Sequence, residues 1–216
     1  MENSNWIAQS MADGGPAMYF IAATGLMVIL LVIERAFSIR NLTVQTTDLD
    51  ANLFGKLISG NLKSAIAYCD SKSTPLTNTL KAGLVEVLNR RSDEEVQVAM
   101  DAQVLEETPR LEGWTGLLAV LANVATLVGL LGTILGLIRS FGAISKLDAA
   151  QKATQLSSGI AESLHCTAFG LIVAIPALIA YGIFQIRVER ASSSMLKYSM
   201  RLMNLVIANR DKLKDL

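Results

Sequence analysis

A carboxylate inside an apolar stretch is the residue of this chain with the most chemistry to explain. Glu162 stands in Gly159-Ile160-Ala161-Glu162-Ser163-Leu164-His165-Cys166-Thr167-Ala168-Phe169-Gly170-Leu171 and opens 24 residues, 163–186, without a formal charge. That run is long enough to cross a bilayer, where a charged group costs several kcal/mol at the centre and faces a bundle interior or a watery path. The uncharged runs hold no Lys or Arg to pair with it, so the chemistry expected of Glu162 is ion handling. At 100° per residue His165, Cys166 and Phe169 fall within about 60° of Glu162, whereas Thr167 lies about 140° around the helix. His165 has two open roles: a proton relay, since imidazole titrates near neutrality, or a hydrogen-bond donor to Glu162 one turn away. Cys166 reads as a small packing residue. Upstream, Asn123, Thr126 and Thr133 fall within about 80° of one another and make a largely polar stripe on an apolar segment. Thr133 could line an ion route or serve as helix glue.

The elements that position these residues are membrane-spanning helices. Hydrophobic residues make up 51% of the 216, and the mean hydropathy is +0.41, high for a water-soluble domain. Three apolar windows predict transmembrane helices over residues 17–33, 114–138 and 157–186. The first is closed by Glu34-Arg35, and the second lies in 26 uncharged residues between Glu112 and Arg139. Gly132 and Gly136 form a GxxxG pair, with Gly129 four residues before Thr133 and Gly170 in span three. Such small residues let helices approach closely in lipid. Pro176 predicts a bend in span three that frees a backbone carbonyl.

Net charge is zero, but the charges are unevenly placed. Residues 1–16 hold no Lys or Arg, which also argues against a cleavable signal peptide. Arg35 and Arg40 follow span one, and Arg187, Arg190, Lys197, Arg201, Arg210, Lys212 and Lys214 follow span three. The positive-inside rule therefore predicts a periplasmic N-terminus over 1–16, a cytoplasmic helical part over 34–113, a short periplasmic loop over 139–156 and a cytoplasmic C-terminal helix over 187–216. Arg139, Lys146 and Lys152 make that loop mildly basic, against the rule, but the asymmetry of the termini is stronger.

The cytoplasmic part reads as helical throughout. A short helix spans Asn61 to Cys69, Pro75 starts a second through Leu80, Leu84, Val87 and Leu88, and Ser92-Asp93-Glu94-Glu95 is a capping box. The helix it opens, with Val96, Met100, Val104 and Leu111, is expected to run on into span two with a kink at Pro109. Met195, Ser199, Leu202, Met203, Val206 and Leu213 continue an amphipathic helix out of span three. No metal-ligand spacing, phosphate loop or enzymatic constellation is present in the sequence, so neither an enzyme nor a cofactor is expected.

Leu130-Leu131-Gly132-Thr133-Ile134-Leu135-Gly136, Gly159-Ile160-Ala161-Glu162-Ser163-Leu164, Thr167-Ala168-Phe169-Gly170-Leu171 and Ala174-Ile175-Pro176-Ala177 together resemble the ExbB/TolQ proton-channel family. The likeness covers nearly the whole chain and is closest over spans two and three. It implies an all-α subunit of the bacterial inner membrane, homo-pentameric around a central pore. That pore would enclose single-span partners similar to ExbD or TolR, each bringing an intramembrane Asp, and a TonB- or TolA-like protein could join them. The resemblance carries ion-path roles onto Thr133, Glu162 and Thr167; Asn123, Thr126 and His165 are relay or pore-lining candidates on their own chemistry. It implies coupling of the proton-motive force to work across the periplasm, in transport, envelope maintenance or gliding, with no nucleic-acid partner. Family members often have proline at the place of Thr126, an apolar residue at that of His165, a small one at Cys166 and asparagine at Gly182. Two other readings stay open: a non-conducting membrane scaffold, and a Na⁺-driven motor.

Overall fold

A computed structural model describes residues 15–42, 49–144 and 148–209, and every described regular element is helical. The helices are α1 (Gly15–Leu42), α2 (Gly55–Ile58, entered through a π-helical turn, Asp50–Phe54), α3 (Leu62–Ser71), α4 (Pro75–Leu88), α5 (Asp93–Glu112), α6 (Thr115–Ile144) and α7 (Ala149–Ala208). Three helical stretches, in α1, α6 and α7, are long and apolar enough to cross a membrane. The chain divides into two compact units, Met1–Arg35 with Trp114–Ile183, and Ala36–Gly113 with Phe184–Leu216.

The first unit holds the apolar segments and packs by its smallest residues. Ala122, Ala125, Gly129, Gly132 and Ser140 of α6 are buried, as are Ser163, Cys166, Ala174 and Ala177 of α7. A Cβ built on Gly129 would stand 2.9 Å from the Cys166 carbonyl oxygen, and one on Gly170 2.7 Å from the Ala125 carbonyl. Gly136 likewise lies against Ser163, and Gly159 against Ser140. These pairs run in opposite order along α6 and α7, so the two helices are antiparallel neighbours in near backbone contact. Large side chains such as Tyr19, Phe20, Leu127, Ile138, Leu164 and Ile172 face outward. Where no hydrophobic force draws helices together, close approach of small residues is the packing available.

The second unit is built the ordinary way. Leu49, Leu53, Phe54, Leu80, Leu84, Met100, Met195 and Leu202 are fully buried, and the charged residues lie mostly outside. Capping residues fix its helix starts. Asn61 accepts from the Ser64 N–H at 3.1 Å, Thr74 and Thr77 cap each other, and Ser92 and Glu95 form a reciprocal box. Glu107, only 2% exposed, accepts from Asn78 at 2.8 Å and from Gln103 and Arg110 at 3.2 Å each, which ties α5 to α4.

Several sequence expectations need correction. Helix α5 does not run on into span two: it stays helical through Pro109 and stops at Gly113, whose φ of 42° an L side chain rarely adopts. The loop expected over 139–156 is largely helical, because α6 continues to Ile144 and α7 begins at Ala149. A charge ends a hydropathy window, whereas Arg, Gln, Lys and Ala propagate a helix readily. For the same reason α1 outlasts the window 17–33. Helix α7 is continuous through Pro176, which is exposed between the buried Ala174 and Ala177. Of the expected segments, residues 1–14, Lys146, Arg210, Lys212, Leu213 and Lys214 lie outside the described residues.

Candidate functional site

The small-residue seam between α6 and α7 brings two hydroxyls together. Thr133 and Thr167 are both half-buried there and hydrogen-bond each other across the helix pair. Thr133 can also donate to the Ser163 carbonyl at 3.1 Å or to its own Gly129 carbonyl at 3.2 Å, and Thr167 to that Gly129 carbonyl at 3.3 Å. Each hydroxyl has one proton and two lone pairs. The chain can therefore run two ways: Thr167 donates to Thr133 and Thr133 to Ser163 O, or Thr133 donates to Thr167 and Thr167 to Gly129 O. Such a pair can reverse the direction of its hydrogen bonds without moving a backbone atom. It cannot store a proton, which needs a titratable group.

Gly129 is what allows this. Its missing side chain lets α7 come close enough for the Thr167 hydroxyl to reach an α6 carbonyl. The remaining hydroxyls in the seam are spent locally. Thr126 donates to Ala122 O at 3.0 Å, Ser140 to Gly136 O at 2.9 Å and Ser163 to Gly159 O at 2.7 Å. Helix α1 completes the unit: the Ala17 Cβ lies 3.0 Å from a Cβ built on Gly132, and Val173 lies 3.1 Å from one on Gly25.

Glu162 is not in the seam. It is exposed on the protomer, while Thr167 turns into α6, in keeping with their separation around the helix. Glu162 lines a crevice of about 50 Å³ together with Pro16, Ala17, Gly132, Leu135, Gly136, Arg139, Ser163 and Cys166. Arg139, the residue that closes the uncharged window of α6, shares this lining with Glu162. His165 is half-buried, and its Nδ1 is enclosed without a hydrogen-bond partner among the described residues. Asn123 is exposed on α6. At the far end of span one, Arg35 is buried and forks onto Glu34 at 2.6 and 2.8 Å. Among the described residues no cluster of His, Cys, Asp and Glu could hold a metal ion.

Comparison with known proteins bears on the same segments. A profile of the MotA/TolQ/ExbB proton channel family matches residues 71–197, more than half of the chain, including Thr133, Glu162 and Thr167. The chain is 30% identical over 174 residues to putative biopolymer transport protein ExbB-like 3 of Synechocystis sp., which covers 80% of this chain and 81% of that one. It is 29% identical over 161 residues to biopolymer transport protein ExbB of Pseudomonas putida, covering 71% of this chain and 48% of the relative. It is 41% identical over 96 residues to the Tol-Pal system protein TolQ of Pseudomonas aeruginosa, covering 44% and 41%.

Proposed function

Given that this chain belongs to the MotA/TolQ/ExbB proton channel family, we propose that it is the channel-forming subunit of an inner-membrane motor, N-terminus periplasmic and C-terminus cytoplasmic. In this reading several copies, five by family resemblance, surround two copies of a single-span partner similar to ExbD or TolR, each carrying an aspartate within the membrane. Protons driven by the membrane potential neutralise that aspartate in turn, the partner helix shifts against the apolar wall, and the movement does work across the periplasm. Each elementary charge crossing 100 mV supplies about 2.3 kcal/mol.

The observation that carries this reading is the Thr133–Thr167 pair, two hydroxyls bonded across a seam of glycines in an apolar unit. It offers a passing proton a hydrogen-bond chain that reverses direction, while Glu162, on the exposed face, is the group able to hold the proton. The extensive outward apolar surface supports embedding in lipid and contact with further copies. A second reading, a scaffold that conducts nothing, is favoured by one fact: the hydroxyl pair sits in a helix–helix contact within a single protomer.

Co-expression with the neighbouring single-span protein, followed by native mass spectrometry from mild detergent, tests the assembly. Five copies of this chain holding two of the partner is the expected result. A chain that ignores the partner would leave only the scaffold. Proton flux into liposomes then separates motor from scaffold.

A further inference from the structure

Two polar groups at mid-depth of the spanning unit, one a donor and one an acceptor, face outward from it. Asn123 is the eleventh of the 26 uncharged residues that end before Arg139, and Ile172 the tenth of the 24 that begin at Ser163. At 1.5 Å per residue each stands about 15 Å in, near the centre of a hydrocarbon core about 30 Å thick. The seam sets them level: Gly170 meets the Ala125 carbonyl, and two steps further along the antiparallel helices come Ile172 and Asn123. Asn123 is exposed among Val120, Val124 and Leu127, and its carboxamide makes no hydrogen bond among the described residues. Pro176 has no N–H, so the Ile172 carbonyl loses the donor that an α-helix would give it, on a face where Ile172, Ile175 and Pro176 are exposed. Lipid tails can pair with neither group, and an unpaired amide in hydrocarbon is costly.

At 100° per residue Asn123 lies about 160° around α6 from Ala125 and about 180° from Gly132, and Ile172 lies about 160° around α7 from Gly170 and about 180° from Ser163. Each therefore points away from the seam, and the two do not meet within one protomer. They meet when the outer face of α7 in one copy lies against the outer face of α6 in the next. We propose that this is the contact between copies of the chain, and that the Asn123 carboxamide donates to the Ile172 carbonyl that Pro176 leaves free in the neighbouring copy. This rests on the reading above that several copies assemble. A second copy is the occupant that fits, because copies inserted alike in one bilayer carry the donor and the acceptor at the same depth. The contact joins two different faces, so each copy can make it on both sides and the chain of contacts can close into a ring. Val120 and Leu127 beside the donor, and Ile175 and Ile179 beside the acceptor, supply the apolar surroundings.

The test uses the full chain co-expressed with its single-span partner. On a Cys69→Ala/Cys166→Ala background, oxidising Asn123→Cys/Ile172→Cys in the membrane should give a ladder of cross-linked copies, because each copy then offers a thiol on either side. Asn123→Cys alone and Ile172→Cys alone should stay uncross-linked. Dimers from either single variant would mean that like faces meet, and would overturn the proposal. Assembled copies that give no ladder would overturn it as well. The hydrogen bond is read separately, by native mass spectrometry in rising detergent. Asn123→Leu keeps the size and removes the donor, and should lower the surviving assembly several-fold. Pro176→Ala returns an N–H to the Ile172 carbonyl and should lower it similarly, after which Asn123→Leu should add little. Losses that simply multiply would overturn the bond between these two groups. A wild-type chain that stays monomeric beside its partner would defeat the assembly reading itself, and the proposal with it, whereas a ring without the ladder defeats the proposal alone.

Discussion

The two units of this chain solve the packing problem in opposite ways. Of the twelve largest fully buried side chains among the described residues, nine belong to the unit of residues 36–113 and 184–216, and three, Met18, Ile21 and Leu118, to the spanning unit. The unit of residues 36–113 and 184–216 excludes water from leucines, methionines and a phenylalanine, and places charges outside. The spanning unit turns its large apolar residues outward and brings glycine, alanine, serine and threonine together within. Water rewards burial of apolar area, while lipid is as apolar as the side chains and leaves close contact and internal hydrogen bonding as the cohesive terms. The seam is also where two hydroxyls, those of Thr133 and Thr167, meet across helices.

The contrast can be broken by exchanging what each unit depends on. Leu80→Ala removes a side chain with no exposed surface and should cost the second unit about 2–5 kcal/mol, read as a lower unfolding midpoint in detergent. Gly129→Ala should cost the spanning unit about 1–3 kcal/mol, because the new methyl meets a backbone carbonyl that cannot turn away. The matching change in the other unit, Gly83→Ala, meets side chains alone, the flexible Met100 at 2.7 Å and Leu202 at 3.4 Å, and should cost less than Gly129→Ala. Equal losses at the two glycines would erase the distinction.

Smaller effects sharpen it. Ser92→Ala deletes half of a capping box and should lower stability by about 1 kcal/mol without touching ion flux. The Glu95 carboxyl in that box is held below its usual range, chiefly by the Ser92 backbone N–H. Its contribution is present above the unfolded carboxylate range and is lost as pH falls through the lowered folded value. Burial pushes the Cys69 thiol from 9.0 up to about 12. The unfolded chain ionises first, so the stability due to this group is full below pH 9 and falls as pH rises toward 12. Comparing unfolding of wild type and Cys69→Ala at pH 8 and pH 10 should show a steeper alkaline loss in wild type. Equal losses would mean the thiol is not shielded.

Much of the fold was legible because it rests on local rules. The three apolar segments follow from charge-free length, the start of α5 from Ser92 and Glu95, and the buried face of α7 from the spacing of Met195, Leu202 and Val206. Errors came where one rule was applied alone. The helix of Val96 and Met100 was expected to run on into span two with a kink at Pro109, yet Gly113 ends it, as glycine commonly does just past a helix C-terminus. Helical periodicity says which residues of one helix share a face. It holds no information on the register between α6 and α7, and that register sets Thr133 on Thr167 and brings Arg139 to the crevice of Glu162.

The central claim, that the hydroxyl pair carries protons rather than merely joining helices, meets its most direct test in proton flux. The complex of this chain with its single-span partner would be reconstituted in liposomes under an imposed potential, as wild type and as Thr133→Val/Thr167→Val. Valine keeps the shape and removes the hydroxyls. An interhelical hydrogen bond in a membrane is worth only about 0.6–2 kcal/mol, so the glycine seam should still hold the subunit together. The account predicts an intact assembly whose proton flux falls at least tenfold. Undiminished flux through the double variant would contradict it and leave Thr133 and Thr167 as glue.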